Sequence, residues 1–200
     1  MFKKLLFHFL VAVIALAVLF ISINKVSTPA KAVASIKITP TVTALPSPTG
    51  IPEKIAINYS LPYPGVLPDS GLYKLKMIRD RIKIFLTSGN IEKAKLFLLY
   101  ADKRIAAGKV LIDGNKIELG ITTLTKGEKY FEQSLSAALL AKNNKEDLGM
   151  LPGNLVNASL KYEEIINELL LKADPGTKPS LQSIADKIKI LQQEALNLKN

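Results

Sequence analysis

The chain has no cysteine, no tryptophan and a single histidine, His8, close to its start. Without cysteine there can be no disulfide framework, no thiolate nucleophile and no cysteine metal ligand. Without histidine beyond His8, the body lacks the usual groups of a Ser–His triad, of imidazole acid–base catalysis and of a zinc site. The glycines fall into neither the GxxxxGK[ST] nor the GxGxxG spacing that cradles phosphates. In "DGNKIE", Asp113 to Glu118, one Asp and one Glu stand too far apart for a calcium loop, so the stretch reads as a turn. Glu146–Asp147 and Glu163–Glu164 are carboxylate pairs, but adjacent in sequence rather than set across a cleft as a glycosidase needs. No catalytic, metal-binding or cofactor-binding residue emerges, and the expectation is a protein that is not an enzyme and carries no cofactor.

What is present is positive charge and a long apolar run. The net charge is +10, and Lys3, Lys4, Lys25 and Lys31 supply four of those charges. Lys3 and Lys4 precede Leu5–Ile23, interrupted only by His8 and Ser22. As a helix this run is about 28 Å long, close to the hydrocarbon thickness of a bilayer. Two readings are open. It is an uncleaved anchor, or it is a signal peptide cut after Ala30-Lys31-Ala32, although signals usually have a shorter apolar core of about 7–15 residues. Both place the remainder outside the cytoplasm with Lys3 and Lys4 inside. The expected localisation is therefore extracytoplasmic, anchored in the cytoplasmic membrane or secreted.

Residues 25–61 are rich in Ser, Thr and Pro, including Pro29, Pro40, Pro46, Pro48 and Pro52. Proline removes donors and keeps its predecessor extended, so this stretch reads as a semi-stiff stalk. Beyond Pro68 a helical period sets in. Asp69 or Ser70 is the candidate cap of a first helix whose inward face reads Leu75, Ile78, Ile82, Phe85 and Leu86. After Ser88-Gly89-Asn90 a second helix carries Ile91, Ala94, Phe97, Leu98, Ala101 and Ile105. A third carries Ile117, Ile121, Leu124, Phe131, Leu135 and Ala138. On that helix Gly120, Gly127 and Ser134 recur every seven residues, either admitting a close neighbour or standing exposed at a cost of about 1 kcal/mol per glycine. A fourth helix starts at Pro152-Gly153-Asn154, and a fifth has the seam Leu181, Ile184, Ile188, Leu191, Ala195 and Leu198. The fold class is thus all-α: an N-terminal membrane-spanning or signal helix (1–24), an extended stalk (25–61), and an antiparallel bundle of about five helices. The bundle divides into a three-helix part (62–145) and a C-terminal helical hairpin packed on it (146–200).

Two stretches carry a family likeness: "LPYPGVLPDSGLYKLKMIRDRI", and then "FLTSGNIEKAKLFLLYADKRIAAGKVLIDGNKIELGITTLTKGEKYFEQS". They resemble a bacterial family of unknown function whose members have an "LPDSPLYxLKxxRD" lead-in and an "ADKRLAxA" helix. The matching positions are Leu67, Pro68, Asp69, Ser70, Leu72, Tyr73, Leu75, Lys76, Arg79 and Asp80, then Ala101 to Ala106. Gly71 departs from the proline of the pattern. The likeness covers about Leu61–Ala141 and implies an exported or membrane-anchored helical domain; it implies no catalytic residue.

The one partner-binding signal is basic. Ten Lys and Arg side chains lie between Lys74 and Lys109, against Asp80, Glu92 and Asp102. Lys74, Lys76, Arg79, Arg81, Lys83, Lys103 and Arg104 are the candidate contacts for an anionic polymer or lipid surface, with Tyr73 and Tyr100 as possible stacking groups. The competing reading is a solvated face in which Lys76 and Asp80 pair across one helical turn. Specific nucleic-acid binding is not expected. The expected function is a non-enzymatic envelope protein that displays a helical bundle for contact with a protein or an anionic surface. A tetratricopeptide-like adaptor is the alternative, and a carboxylate-based hydrolase a more remote one.

Overall fold

The computed structural model describes residues 59–199, and every regular element among them is an α-helix. The helices are α1 (Tyr73–Leu86), α2 (Asn90–Asp113), α3 (Ile117–Asn143), α4 (Leu151–Lys172) and α5 (Lys178–Lys199). The expected anchor and nearly all of the expected stalk lie outside the described residues.

The breaks between helices follow local chemistry. The α1–α2 turn needs a left-handed backbone, which Gly89 supplies at φ 89°. Asn115, at φ 60°, reverses the chain after α2. Pro152 sits in the first turn of α4, where its missing N–H costs nothing. Before α5, Asp174 Oδ1 accepts the N–H groups of Gly176 (2.8 Å) and Thr177 (3.0 Å), and Oδ2 accepts the Thr177 hydroxyl (2.7 Å). Neither α1 nor α2 has a side-chain cap. Asp69 instead pairs with Lys116 at the start of α3, and the Asn90 amide donates to Glu146 Oε1 at 2.9 Å.

The core is built on the α2–α3 pair. The seven-residue stripe of α3 faces α2. A Cβ on Gly120 would strike the Ile112 side chain and come within 3.1 Å of the Gly108 carbonyl; one on Gly127 would come within 2.8 Å of Ile105 Cδ1. Further on, the buried Ser134 hydroxyl donates to the Ala94 carbonyl at 2.7 Å. Successive contacts thus move back along α2 as they move forward along α3. Close approach, not exposure, is the use of the small residues.

Helices α4 and α5 pack on each other and onto this pair. Leu155, Tyr162, Ile165, Ile166 and Leu169 are buried on α4, and all six seam residues are buried on α5. Phe131 of α3 meets Tyr162 of α4 edge to face, with ring centroids 5.2 Å apart.

Helix α1 overturns one expectation. Leu75, Ile78, Ile82, Phe85 and Leu86, read as its inward face, are exposed, Ile78 at 57% and Phe85 at 87%. The buried residues of α1 are Tyr73 and Asp80, with Met77 and Ile84 half-buried on the same side. Both sets repeat at helical spacing, and the more aliphatic one is turned to water.

Candidate interaction surface

The inward side of α1 is held mainly by polar groups. Asp80 is 4% exposed, and its Oδ1 accepts from Arg79 Nη2 at 2.7 Å and Nε at 3.1 Å. From α2, the buried Arg104 guanidinium lies 4.0 Å from Asp80 Oδ2, donates to the Tyr73 hydroxyl, and stands 5.0 Å from the centre of the Tyr73 ring. Lys76 does not pair with Asp80; its ammonium donates to the Pro64 (2.8 Å) and Val66 (3.0 Å) carbonyls, tying the lead-in segment to the helix. Burial, helped by the nearby Arg104, lowers the Lys76 pKa to about 8. Tyr100 packs beneath, with Asp80 nearby, and burial pushes its hydroxyl up to about 12.

A second buried polar group lies two residues before Arg104, on the opposite side of α2. Asp102 Oδ1 accepts from the Tyr162 hydroxyl at 2.6 Å and Oδ2 from the Tyr59 hydroxyl at 2.9 Å. Burial raises the Asp102 pKa, while the two hydroxyl donors oppose that rise. The same desolvation, reinforced by the Asp102 charge, lifts the pKa of both tyrosines. Both carboxylate oxygens are occupied, so Asp102 serves as a structural acceptor that ties residue 59 and α4 to α2. Tyr59 and Leu61 both pack against the core, so a boundary at residue 61 cuts through this contact.

These contacts redistribute the expected surface residues. Arg104 is buried at 5% exposure, and Tyr73 and Tyr100 are buried as well, so none of the three stands on the exposed surface. Lys76 and Lys103 are half-buried, and Arg79 is exposed but engaged with Asp80. Lys74, Arg81 and Lys83 are free to face solvent. Around the circumference of α1, Lys74 and Arg81 border one side of the aliphatic stripe and Arg79 and Lys83 the other. The structure also adds residues that the sequence did not single out. Lys126 and Lys129 of α3 join Arg81, Met77, Ile84 and Tyr130 around a groove of about 340 Å³ beside α1. No sequence signal marks this groove, because it exists only once α1 and α3 are placed together.

Among the described residues, no helix is long and apolar enough to cross a membrane, and no three His, Cys, Asp or Glu side chains gather as metal ligands. Residues 65–158 match the model of a domain of unknown function (DUF5667). No curated protein and no solved structure matches the chain. The matched stretch holds α1, α2, α3 and the start of α4, and with them the whole Tyr73–Asp80–Arg104 contact. The two sequence stretches that carry the family likeness are therefore brought together in space: Tyr73, Lys76 and Asp80 from the first, Arg104 from the second. Tyr59 and Tyr162 lie outside the match.

Proposed function

We propose that the protein is a non-enzymatic envelope protein, held in the membrane through Leu5–Ile23, that displays its helical bundle outside the cytoplasm and makes contact through α1. One observation carries this reading: α1 is docked by a polar face while a continuous aliphatic stripe points away from the bundle. Burying a Leu, Ile or Phe side chain is worth roughly 1.5–3 kcal/mol, and scattered exposed apolar residues do not form a rimmed stripe. Such a patch marks a contact surface. The bundle supports the same reading by giving α1 a rigid base, since its own core is complete without the stripe.

Fractionation combined with proteolysis tests the placement. The expected result is a membrane-bound chain whose body is digested by protease added from outside. Soluble protein beginning at Val33 would replace the anchor with a cleaved signal. A body protected from external protease would contradict the proposal.

A further inference from the structure

Resting on that reading, we propose that α1 is an interfacial helix that lies in the surface of an anionic bilayer. Leu75, Ile78, Ile82 and Phe85 sit at the headgroup–acyl boundary, and Lys74, Arg81, Arg79 and Lys83 reach the headgroups on either side. An amphipathic helix with large apolar residues on one face and Lys or Arg along its edges is suited to this position.

Three observations narrow the occupant to lipid. First, the stripe is diametrically opposite the docked face, so α1 can enter the interface without leaving the bundle. Second, the only carboxylate on α1 is Asp80, which is buried. A second copy packed stripe to stripe would bring basic edge against basic edge. The residues before Tyr59 carry one carboxylate, Glu53, against six lysines, so the N-terminal segment is itself basic and does not neutralise those edges. Charge complementarity therefore requires an anionic occupant from outside the chain. Third, the stripe is exposed along the length of the helix, from Leu75 at 65% to Phe85 at 87%, and acyl chains can conform to such a surface.

The absence of cysteine makes the test clean. Single-site variants Ile82→Cys, Phe85→Cys and, on the exposed side of α5, Ser183→Cys are labelled with an environment-sensitive fluorophore. The full chain is reconstituted in vesicles of phosphatidylcholine alone, or of phosphatidylcholine and phosphatidylglycerol in equal parts, each with a nitroxide-labelled lipid as quencher. The expected result is a blue shift and several-fold stronger quenching at residues 82 and 85 than at 183, in the anionic vesicles only. Each basic side chain near an anionic surface is worth roughly five-fold in affinity. Changing Lys74, Arg81 and Lys83 to Gln should therefore weaken the docked state by about 100-fold, and added salt should weaken it too. Fluorophores that are shielded but not quenched by the lipid nitroxide would indicate a protein cover and overturn the proposal. Fluorophores that stay in water on both vesicles but become covered when native envelope is added would overturn the lipid assignment and leave α1 as a contact surface. Fluorophores in water under all three conditions would overturn both.

Discussion

Asp102 is a carboxylate held among tyrosines, and its titration should be visible in stability. Its folded pKa is raised, so the folded chain keeps the proton to higher pH than the unfolded chain does. The contribution to stability is therefore fully present below the unfolded pKa and is lost as pH rises through the folded one. Asp102→Asn should flatten the profile above the ordinary Asp pKa relative to wild type, as read by urea unfolding at each pH. Glu168 acts in the opposite sense. Lys109 and Lys172 hold its pKa near 2, so what it contributes is present above the ordinary Glu pKa and is lost as pH falls toward 2. It is partly exposed, and its effect should be small. Phe131 tests the core at the same scale. It is fully buried against Tyr162, and Phe131→Ala should cost about 3–5 kcal/mol in chemical denaturation. Phe131 was legible from sequence because it lies on an apolar period with no rival face. Asp102 was not, because nothing in "ADKR" says that its hydroxyl partners come from residues 59 and 162.

Among the elements, α2 to α5 follow their apolar periods, and the seam of α5 is buried residue for residue. Helices α3, α4 and α5 each have one strongly apolar face, so the hydrophobic effect decides their orientation, whereas α2 also buries Leu96, Tyr100 and Arg104 on a second side. Helix α1 has two faces at helical spacing. Ranking them by hydrophobicity selects Leu75, Ile78, Ile82 and Phe85, whereas the bundle uses Tyr73, Met77, Asp80 and Ile84. The deciding partner is Arg104, a buried cation on another helix that needs a carboxylate and an aromatic face; no local pattern in α1 reveals it. Ile78→Ser and Ile82→Ser should accordingly leave unfolding free energy within ~0.5 kcal/mol of wild type. The α2–α3 pair makes a prediction of opposite sign to ordinary helix propensity. Gly→Ala in a helix interior normally gains up to about 1 kcal/mol. Gly120→Ala should instead destabilise by about 1–3 kcal/mol, because the new methyl meets Ile112 and the Gly108 backbone and the helices must move apart.

For the whole molecule, the all-α body was legible in turn chemistry and period, and the family match reaches the same level of description, a domain of unknown function. The contact surface was legible only as an excess of charge. The sequence placed ten basic residues between Lys74 and Lys109 without telling inside from outside, and the structure withdraws Arg104 into the core while leaving Lys74, Arg81 and Lys83 beside an apolar stripe. Helix α1 is thus fastened by polar contacts and shows its aliphatic side outward. Hydrogen exchange across residues 73–86, read by mass spectrometry on Asp80→Ala and Ile82→Ser side by side, tests it most directly. Loss of the buried carboxylate strips Arg104 of its partner and should markedly speed exchange throughout α1, while Ile82→Ser should leave exchange close to wild type. The reverse pattern, with Ile82→Ser loosening α1 and Asp80→Ala leaving it protected, would show that the aliphatic stripe is the docked face and would contradict the account.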